Sequence, residues 1–260
     1  MRLYVWDDGR VVDSSEFRLT QPFVLQRVHT LGYKAINIAH HIDIMRSATT
    51  ELFGFATLCD ARSAANIIEQ LTRLSRINPA LSCAVAMRHN SEGELSFEVE
   101  MATPYRGVEL SVKRPRGAFL TVPQPVYVSQ NSVTLALDAM YNARVQGYGD
   151  VAVLLNSRDE VISRPWQPLF AVFHNVIYTP VEHHTVEYCA VRDAAHRAGI
   201  EFVVRPIPRE SLLRMDEVFI ADTMGLTALS SIKESRLLSV VATHIANRME
   251  PKLSTLSGLL

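Results

Sequence analysis

Two adjacent histidines follow an acidic residue in the segment Glu182-His183-His184, the cluster of this sequence best suited to chemistry. Imidazole is a common metal ligand and titrates near neutral pH. Adjacent residues of a strand point to opposite faces, so two neighbouring histidines seldom ligate the same ion. The spacing therefore favours a solvated polar loop over a metal site.

Two further segments invite a chemical interpretation. His40-His41 stands at the start of a predicted helix, where capping and packing are the usual roles. Asp222-Thr223-Met224-Gly225 is typical of a turn after a strand, and exposed amides in such turns bind anions. An ordinary turn is the equal alternative. The glycines of Gly147-Tyr148-Gly149 lead into a predicted strand and not into a helix, so they do not form a phosphate cradle.

Lysine and cysteine are both scarce. The chain has 26 basic residues, and its lysines are Lys34, Lys113, Lys233 and Lys252. A solvated surface position is the usual place for each of them. The three cysteines are Cys59, Cys83 and Cys189. Their odd number and wide spacing predict free thiols in a reducing compartment, not disulfides or a zinc site.

The bulk composition narrows the class of protein. The chain has 260 residues, of which 48% are hydrophobic, enough for one large domain or two small ones. A formal net charge of −1 gives no electrostatic footprint for nucleic acid. Apolar runs such as 151–155 are far shorter than the roughly 18 residues of a membrane span. The first ten residues lack the apolar core of a secretory signal, so we expect a cytoplasmic protein.

Periodicity and turn residues predict an α+β protein in two lobes. The first lobe, 1–113, has a hairpin at Asp8-Gly9, a second hairpin over 22–38 and helices over 40–53 and 63–76. Ser63 is the expected start of the second helix. Further strands are predicted at 82–88, 95–101 and 108–112. Residues 114–125 are rich in proline and predict a linker between the lobes.

The second lobe, 126–260, alternates predicted helices with strands. The helices are expected at 132–146, 187–197, 209–214 and, in the tail, 235–250. The strands are expected at 151–155, 169–173, 176–178, 202–205 and 218–221.

The order of segments in the second lobe resembles the class IV aminotransferases. These fold type IV pyridoxal-phosphate (PLP) enzymes include branched-chain and D-amino acid aminotransferases and aminodeoxychorismate lyase. The resemblance rests on 148–155, on Glu160-Val161-Ile162, on the strand 176–180 that ends in Thr-Pro, and on 215–220. In the first lobe, Phe23 to Arg27 resembles the family's Phe-Glu-Thr-Ile-Arg strand. The resemblance implies the two-lobed fold, an active site between the lobes, and a homodimer.

The residues that run PLP chemistry are missing from their expected positions. The resemblance places the Schiff-base lysine at Gln130 and the glutamate that pairs with the pyridine nitrogen at Ser163. Glutamine cannot form an imine, and serine cannot balance a pyridinium charge. Thr223 matches a threonine that grips the cofactor phosphate. By family position, Tyr127 would line the same pocket, and the loop of His184 would rim it.

Three hypotheses follow. In the first, the chain keeps the site without aldimine chemistry and acts, with no PLP, on a small polar or anionic molecule. The pocket residues are then Gln130, Ser163 and Thr223, with His184 and Tyr127 as candidate catalytic groups. In the second, the chain is a PLP-dependent aminotransferase or lyase whose lysine has moved, with Lys233 as the candidate. In the third, it is a non-catalytic binding or assembly subunit.

Overall fold

The computed structural model describes residues 3–79, 83–100, 107–108, 116–121, 149–222 and 225–249. Two compact units make up the chain. The first comprises Met1–Tyr105, His184–Ala190 and Met249–Leu260, and the second comprises Arg106–His183 and Val191–Arg248. The predicted helix over 132–146 lies outside the described residues, as does most of the predicted strand over 108–112.

A six-stranded sheet organises the first unit. Its strands run in the order β2-β1-β6-β5-β3-β4. Their bounds are Tyr4–Asp7 (β1), Arg10–Asp13 (β2), Phe23–Leu31 (β3), Lys34–Ala35 (β4), Cys83–Asn90 (β5) and Leu95–Val99 (β6). All five pairings are antiparallel.

Local turn chemistry sets both hairpins of this sheet. Asp8 and Gly9 connect β1 to β2 with φ values of 39° and 97°, the left-handed conformations that a two-residue hairpin requires. Gly32 and Tyr33 connect β3 to β4 with φ values of 55° and 68°. Both predicted hairpins are therefore confirmed.

Two helices pack on one face of this sheet. Helix α1 spans Ile38–Phe53 and helix α2 spans Ala61–Leu74. Their apolar stripes meet alternate sheet residues such as Met87 and Phe97 in one core. Helix α2 begins earlier than predicted, because the Asp60 carboxylate caps it by accepting from the Ser63 backbone N–H at 2.7 Å. Ser63 as the helix start was therefore wrong.

The described part of the second unit contains two sheets. One has the order β10-β9-β8-β16-β17 and the other the order β13-β12-β11-β14-β15-β7. The strands of the first are Arg116–Thr121 (β8), Val151–Leu155 (β9), Val161–Ile162 (β10), Ser231–Ile232 (β16) and Ser235–Arg236 (β17). Those of the second are Gly107–Val108 (β7), Leu169–Phe173 (β11), Val176–Thr179 (β12), Phe202–Val204 (β13), Glu217–Asp222 (β14) and Gly225–Ala228 (β15).

Strand β8 corrects the predicted linker. It lies inside 114–125 and pairs in parallel with both β9 and β16, so these six residues are sheet and not connection. Gly149 packs closely against the start of β8, because a Cβ at this position would stand 2.6 Å from the carbonyl oxygen of Arg116. The chain first passes from the first compact unit to the second between Tyr105 and Arg106, before the predicted linker at 114–125.

Among the described residues, the second half of the chain also forms the helices α3 (Val186–Ala198), α4 (Arg209–Leu212) and α5 (Val240–Ala246). The predicted tail helix over 235–250 is wrong at its start, where β17 lies, and is shorter than expected. Glu217 of β14 caps α5: its Oε1 accepts from Val241 N–H at 2.8 Å and its Oε2 from Ala242 N–H at 2.9 Å. This carboxylate is only 2% exposed, so it connects strand to helix inside the core.

Candidate functional site

Ser163 stands directly after β10, at the position where the resemblance places the pyridine-pairing glutamate. The residue is 6% exposed. Its Oγ accepts a hydrogen bond from the backbone N–H of Leu169 at 3.0 Å. The same Oγ lies 3.0 Å from His183 Nε2. Ser163 is therefore a buried, uncharged group with one fixed amide donor and one imidazole partner.

The histidine that reaches this serine is His183 and not His184. His183 is half-buried, whereas His184 is exposed. Both follow β12, in the connection to α3, where consecutive side chains diverge. The candidate acid or base predicted at His184 is therefore not the histidine in contact with Ser163.

A second polar group begins one residue later. Arg164-Pro165-Trp166-Gln167 forms a turn in which Gln167 N–H donates to the Arg164 carbonyl at 3.1 Å, with proline at the position that favours such turns. The buried guanidinium of Arg164 donates through Nη2 to Gln167 Oε1. Gln167 Nε2 in turn donates to Asp222 Oδ2 at 3.5 Å. A buried cation is thereby connected through an amide to the carboxylate at the end of β14.

Thr179 and Ser163 hold the same stretch of backbone, at Leu169. Thr179 is fully buried at the end of β12, and its Oγ1 donates to the Leu169 carbonyl oxygen at 3.0 Å. The amide of the same Leu169 donates to Ser163. We name the set Ser163, Arg164, Gln167, Thr179, His183 and Asp222 the polar cluster; all six residues belong to the second unit.

The polar cluster combines two chemical capacities. Ser163 and His183 present a hydroxyl and an imidazole within hydrogen-bond distance, the arrangement that moves a proton between an alcohol and a base. Arg164 supplies the planar donor set that proteins use for carboxylates and phosphates. Proton transfer next to an anion-binding group suits a small polar or anionic substrate.

The two described lysines are both exposed. Lys34 lies in the edge strand β4. Lys233 begins the turn between β16 and β17, with φ of 51°, and its Nζ lies 5.6 Å from the ring centroid of Phe119. Both positions match the solvated locations expected of surface lysines.

Several predicted site residues lie outside the described part of the chain. They are Tyr127, Gln130 and Thr223, together with the remaining lysines, Lys113 and Lys252. Their roles stay predictions that rest on the resemblance.

Within the described ranges, no group of three or more His, Cys, Asp or Glu side chains is arranged to hold a metal ion. The described cysteines have free thiols. No helix among the described residues is long and apolar enough to cross a membrane.

Sequence reasoning missed Arg164, Gln167 and Asp222 as one connected set. The available signal was the Arg-Pro pair directly after Ser163, since a proline at the second position of a turn brings the flanking side chains together. Asp222 was noted only as part of a turn. Its approach to Gln167 depends on sheet pairing between β11 and β14, which is a long-range contact.

Several solved structures of aminotransferases are similar to this chain. A branched-chain aminotransferase from Thermoproteus uzoniensis has a TM-score of 0.69 at 19% identity, covering 99% of this chain and 98% of its own. The Escherichia coli branched-chain aminotransferase has a TM-score of 0.70 at 13% identity, covering 97% of both chains. A Brucella abortus aminotransferase bound to PLP has a TM-score of 0.66 at 15% identity, covering 95% of this chain and 97% of its own.

No protein-family model matches the sequence, and no curated protein matches it. The structural similarity over nearly the whole length, with the helices and sheets described above, shows that the chain has the α+β fold of the class IV aminotransferases. The predicted fold is confirmed. At these identities the comparison establishes the fold alone.

Proposed function

We propose that this chain is an enzyme of class IV aminotransferase fold that acts without PLP on a small polar or anionic metabolite. One observation carries the proposal. The position that the resemblance assigns to the pyridine-pairing carboxylate holds Ser163, whose hydroxyl is engaged by a backbone amide and by His183. This arrangement suits proton transfer and does not suit a charged pyridinium ring.

The residues of this chain do not fit catalytic PLP. When bound, that cofactor supplies an electron sink, which depends on an imine-forming lysine and on a partner for the ring nitrogen. The sequence has Gln130 where the lysine is expected, and the two described lysines are exposed. Ser163 offers no charge to balance a pyridinium. No step of the proposed reaction therefore passes through PLP.

The polar cluster assigns roles to particular atoms. His183 Nε2 and Ser163 Oγ hold and pass a proton. The guanidinium of Arg164 binds an anionic group of the substrate, and Asp222, acting through Gln167, positions that guanidinium. Ser163 and His183 are then catalytic residues, whereas Gln167 and Asp222 are positioning residues.

Paired variants test the catalytic roles. Activity would be screened against a panel of small carboxylates, phosphates and amides with purified protein. We expect His183→Gln and Ser163→Ala each to lower kcat by about 10²–10⁴-fold, the range for loss of a general acid or base. His184→Gln is the matched control and should retain activity. Equal losses in the two histidine variants would refute the assignment of His183. Binding without turnover of any panel member would support the non-catalytic subunit instead.

One observation favours a second candidate, a PLP-dependent aminotransferase or lyase that uses Lys233. The similar solved structures include one bound to PLP and one complexed with N-(5'-phosphopyridoxyl)-L-glutamate. Incubation with PLP, borohydride reduction and mass spectrometry decide between the two candidates. We expect no stoichiometric adduct on one lysine. An adduct on Lys233 that disappears in Lys233→Arg, with an aldimine absorption band, would overturn the PLP-independent proposal.

The proposal includes a homodimer, which the resemblance implies and which light scattering after gel filtration measures directly. For a chain of 29.1 kDa, the expected mass is twice that value. A monomer across a wide concentration range would remove the dimer from the proposal and leave the roles of Ser163 and His183 to be tested as above.

A further inference from the structure

The first unit contains a small polar pocket that the proposed function does not use. Its volume is about 80 Å³. A cavity of about 150 Å³ holds one benzene molecule, so this pocket has space for a ligand of only a few heavy atoms. Its charged lining residues are Asp7, Arg18, Arg88 and Glu94. All four belong to the first unit, whereas the residues of the polar cluster belong to the second.

Strand register places opposite charges in one row of the sheet. Arg10 of β2 pairs with Asp7 of β1, Asp7 pairs with Ser96 of β6, and Ser96 pairs with Arg88 of β5. Paired residues project from the same face, so these side chains form a row in which Ser96 separates Asp7 from Arg88. Asp7 and Arg88 are two strand spacings apart, about 10 Å between their Cα atoms. Both helices pack on the opposite face, where Phe97 lies in the core.

Arg88 is held rigidly at one end of this row. Its Nη2 lies 2.7 Å from Glu98 Oε2, its guanidinium carbon lies 5.9 Å from the ring centroid of Phe23, and its side chain is only 11% exposed. The other terminal nitrogen, Nη1, is buried and has no hydrogen-bond partner within the described part of the chain. Hydrogen bonds to an ionised group are strong, so this donor favours an anionic acceptor.

The acidic side of the pocket is also fixed. Asn90 donates through Nδ2 to Glu94 Oε2 at 2.7 Å, and its Oδ1 accepts from Glu94 N–H at 2.8 Å, which hold that carboxylate at the pocket. Burial, and then the charges of Glu94 and Asp8, raise the pKa of Asp7, while the charge of Arg10 opposes them and does not cancel them. Two carboxylates close together favour a cation between them, since a cation relieves their mutual repulsion.

The segment 17–21 completes the wall of the pocket. Gln21 Nε2 donates to Glu92 Oε1 at 2.8 Å, and the backbone of Ser91 donates to the Pro22 carbonyl at 2.9 Å. Arg18 donates through Nη1 to the carbonyl oxygens of Ser15 and Phe17, both at 2.7 Å, which orients a second guanidinium beside the pocket.

We propose that this pocket binds a small zwitterion, with its ammonium group at Asp7 and Glu94 and its carboxylate at Arg88 and Arg18. A simple anion would satisfy the donors of Arg88 and Arg18 but would bring no cation to Asp7 and Glu94 inside the pocket, since Arg10, the cross-strand neighbour of Asp7, does not line it. A simple cation would bind at Asp7 and Glu94 but would bring no anion to the arginines. A molecule with both charges a few bonds apart satisfies both ends of the pocket, with the Ser96 hydroxyl between them.

Calorimetric titration of the full chain tests the proposal with glycine, β-alanine, acetate and methylammonium as probes. We expect one of the two zwitterions to bind, and acetate and methylammonium to bind about tenfold or more weakly, because each lacks a charge-assisted contact. Acetate binding as tightly as the better zwitterion would overturn the proposal. So would the absence of saturable binding for every probe, since the pocket would then hold water only.

Matched variants locate the site. Asp7→Asn and Arg18→Gln should each weaken zwitterion binding by about tenfold or more, and neither side chain lies in the core. Asp43→Asn and Arg27→Gln remove the same charges from exposed residues that do not line the pocket, and they should leave binding unchanged. Equal weakening in variants and controls would refute the site.

Ser163→Ala separates this proposal from the proposed function. Zwitterion binding in the first unit should survive that substitution, whereas turnover should not. Zwitterion binding that disappears in Ser163→Ala would refute the first-unit pocket and leave the proposed function untouched.

Discussion

Replacing Glu217 tests whether one buried carboxylate connects strand β14 to helix α5. Its two oxygens accept from consecutive amides, Val241 N–H at 2.8 Å and Ala242 N–H at 2.9 Å, at the first turn of the helix. A carboxylate at this end of a helix gains from the helix dipole and from both hydrogen bonds. Hydrogen bonds to a charged group contribute about 1.5–3 kcal/mol each.

Two substitutions of Glu217 should lower the free energy of unfolding by different amounts. Glu217→Gln keeps the shape, but its amide offers one acceptor and sets an NH₂ group against a backbone donor, so we expect a loss of about 2–3 kcal/mol. Glu217→Ala removes both acceptors and leaves two buried N–H groups and a cavity, so we expect about 4 kcal/mol or more.

Urea denaturation followed by circular dichroism measures both losses as changes in the free energy of unfolding. The control is Glu210→Gln, an exposed glutamate in α4, which should change that free energy by less than about 0.5 kcal/mol. A change below about 1 kcal/mol in Glu217→Ala would refute the reasoning, because two unpaired buried amides cannot cost so little.

Two further predictions concern acid stability and a close backbone contact. Burial, with smaller contributions from His29 and His40, lowers the pKa of His41 to about 3 from 6.5. The folded protein must therefore lose stability as the pH falls from 6.5 towards 3, by up to about 1.4 kcal/mol per unit from this residue. The free energy of unfolding should fall less between pH 7 and pH 4.5 in His41→Asn than in the unsubstituted protein. An equal fall in both proteins would contradict this prediction. Gly149→Ala should lower the melting temperature by several degrees, since its Cβ would stand 2.6 Å from a carbonyl oxygen; an unchanged melting temperature would contradict the close packing at β8.

The features predicted correctly from sequence are those that short-range chemistry decides. The turn at Asp8-Gly9 follows from two residues that tolerate positive φ, and no distant contact is needed. Two strands of the second unit were equally readable, because Val151–Leu155 and Leu169–Phe173 are short, continuous apolar runs.

The errors at the linker and at the tail helix have different causes. Ser235–Arg236, the first residues of the predicted tail helix, instead pair with the nearby β16 in a short hairpin. Prolines and a glycine around Arg116–Thr121 predict a linker, yet parallel pairing on both sides with residues far along the chain makes this segment a central strand. Local composition carries no record of such distant partners.

The sequence identified only part of the site, because the contacts of its side chains also depend on the folded chain. Ser163 was identified through the order of segments, but the choice between His183 and His184 depends on how the chain leaves β12. Two identical neighbouring residues give no signal that separates them. Only the backbone path shows which imidazole reaches the serine.

The position of β8 between β9 and β16 has a consequence for how the protein is made. Its partner β9 leaves the ribosome soon after β8, but the other edge pairs with Ser231–Ile232, near the end of the chain. At about 5–20 residues per second, that edge waits on the order of ten seconds for its partner. An unpaired strand edge invites pairing with another chain. Fragments that end before residue 231 should therefore aggregate during synthesis, and chaperone demand should peak in that interval.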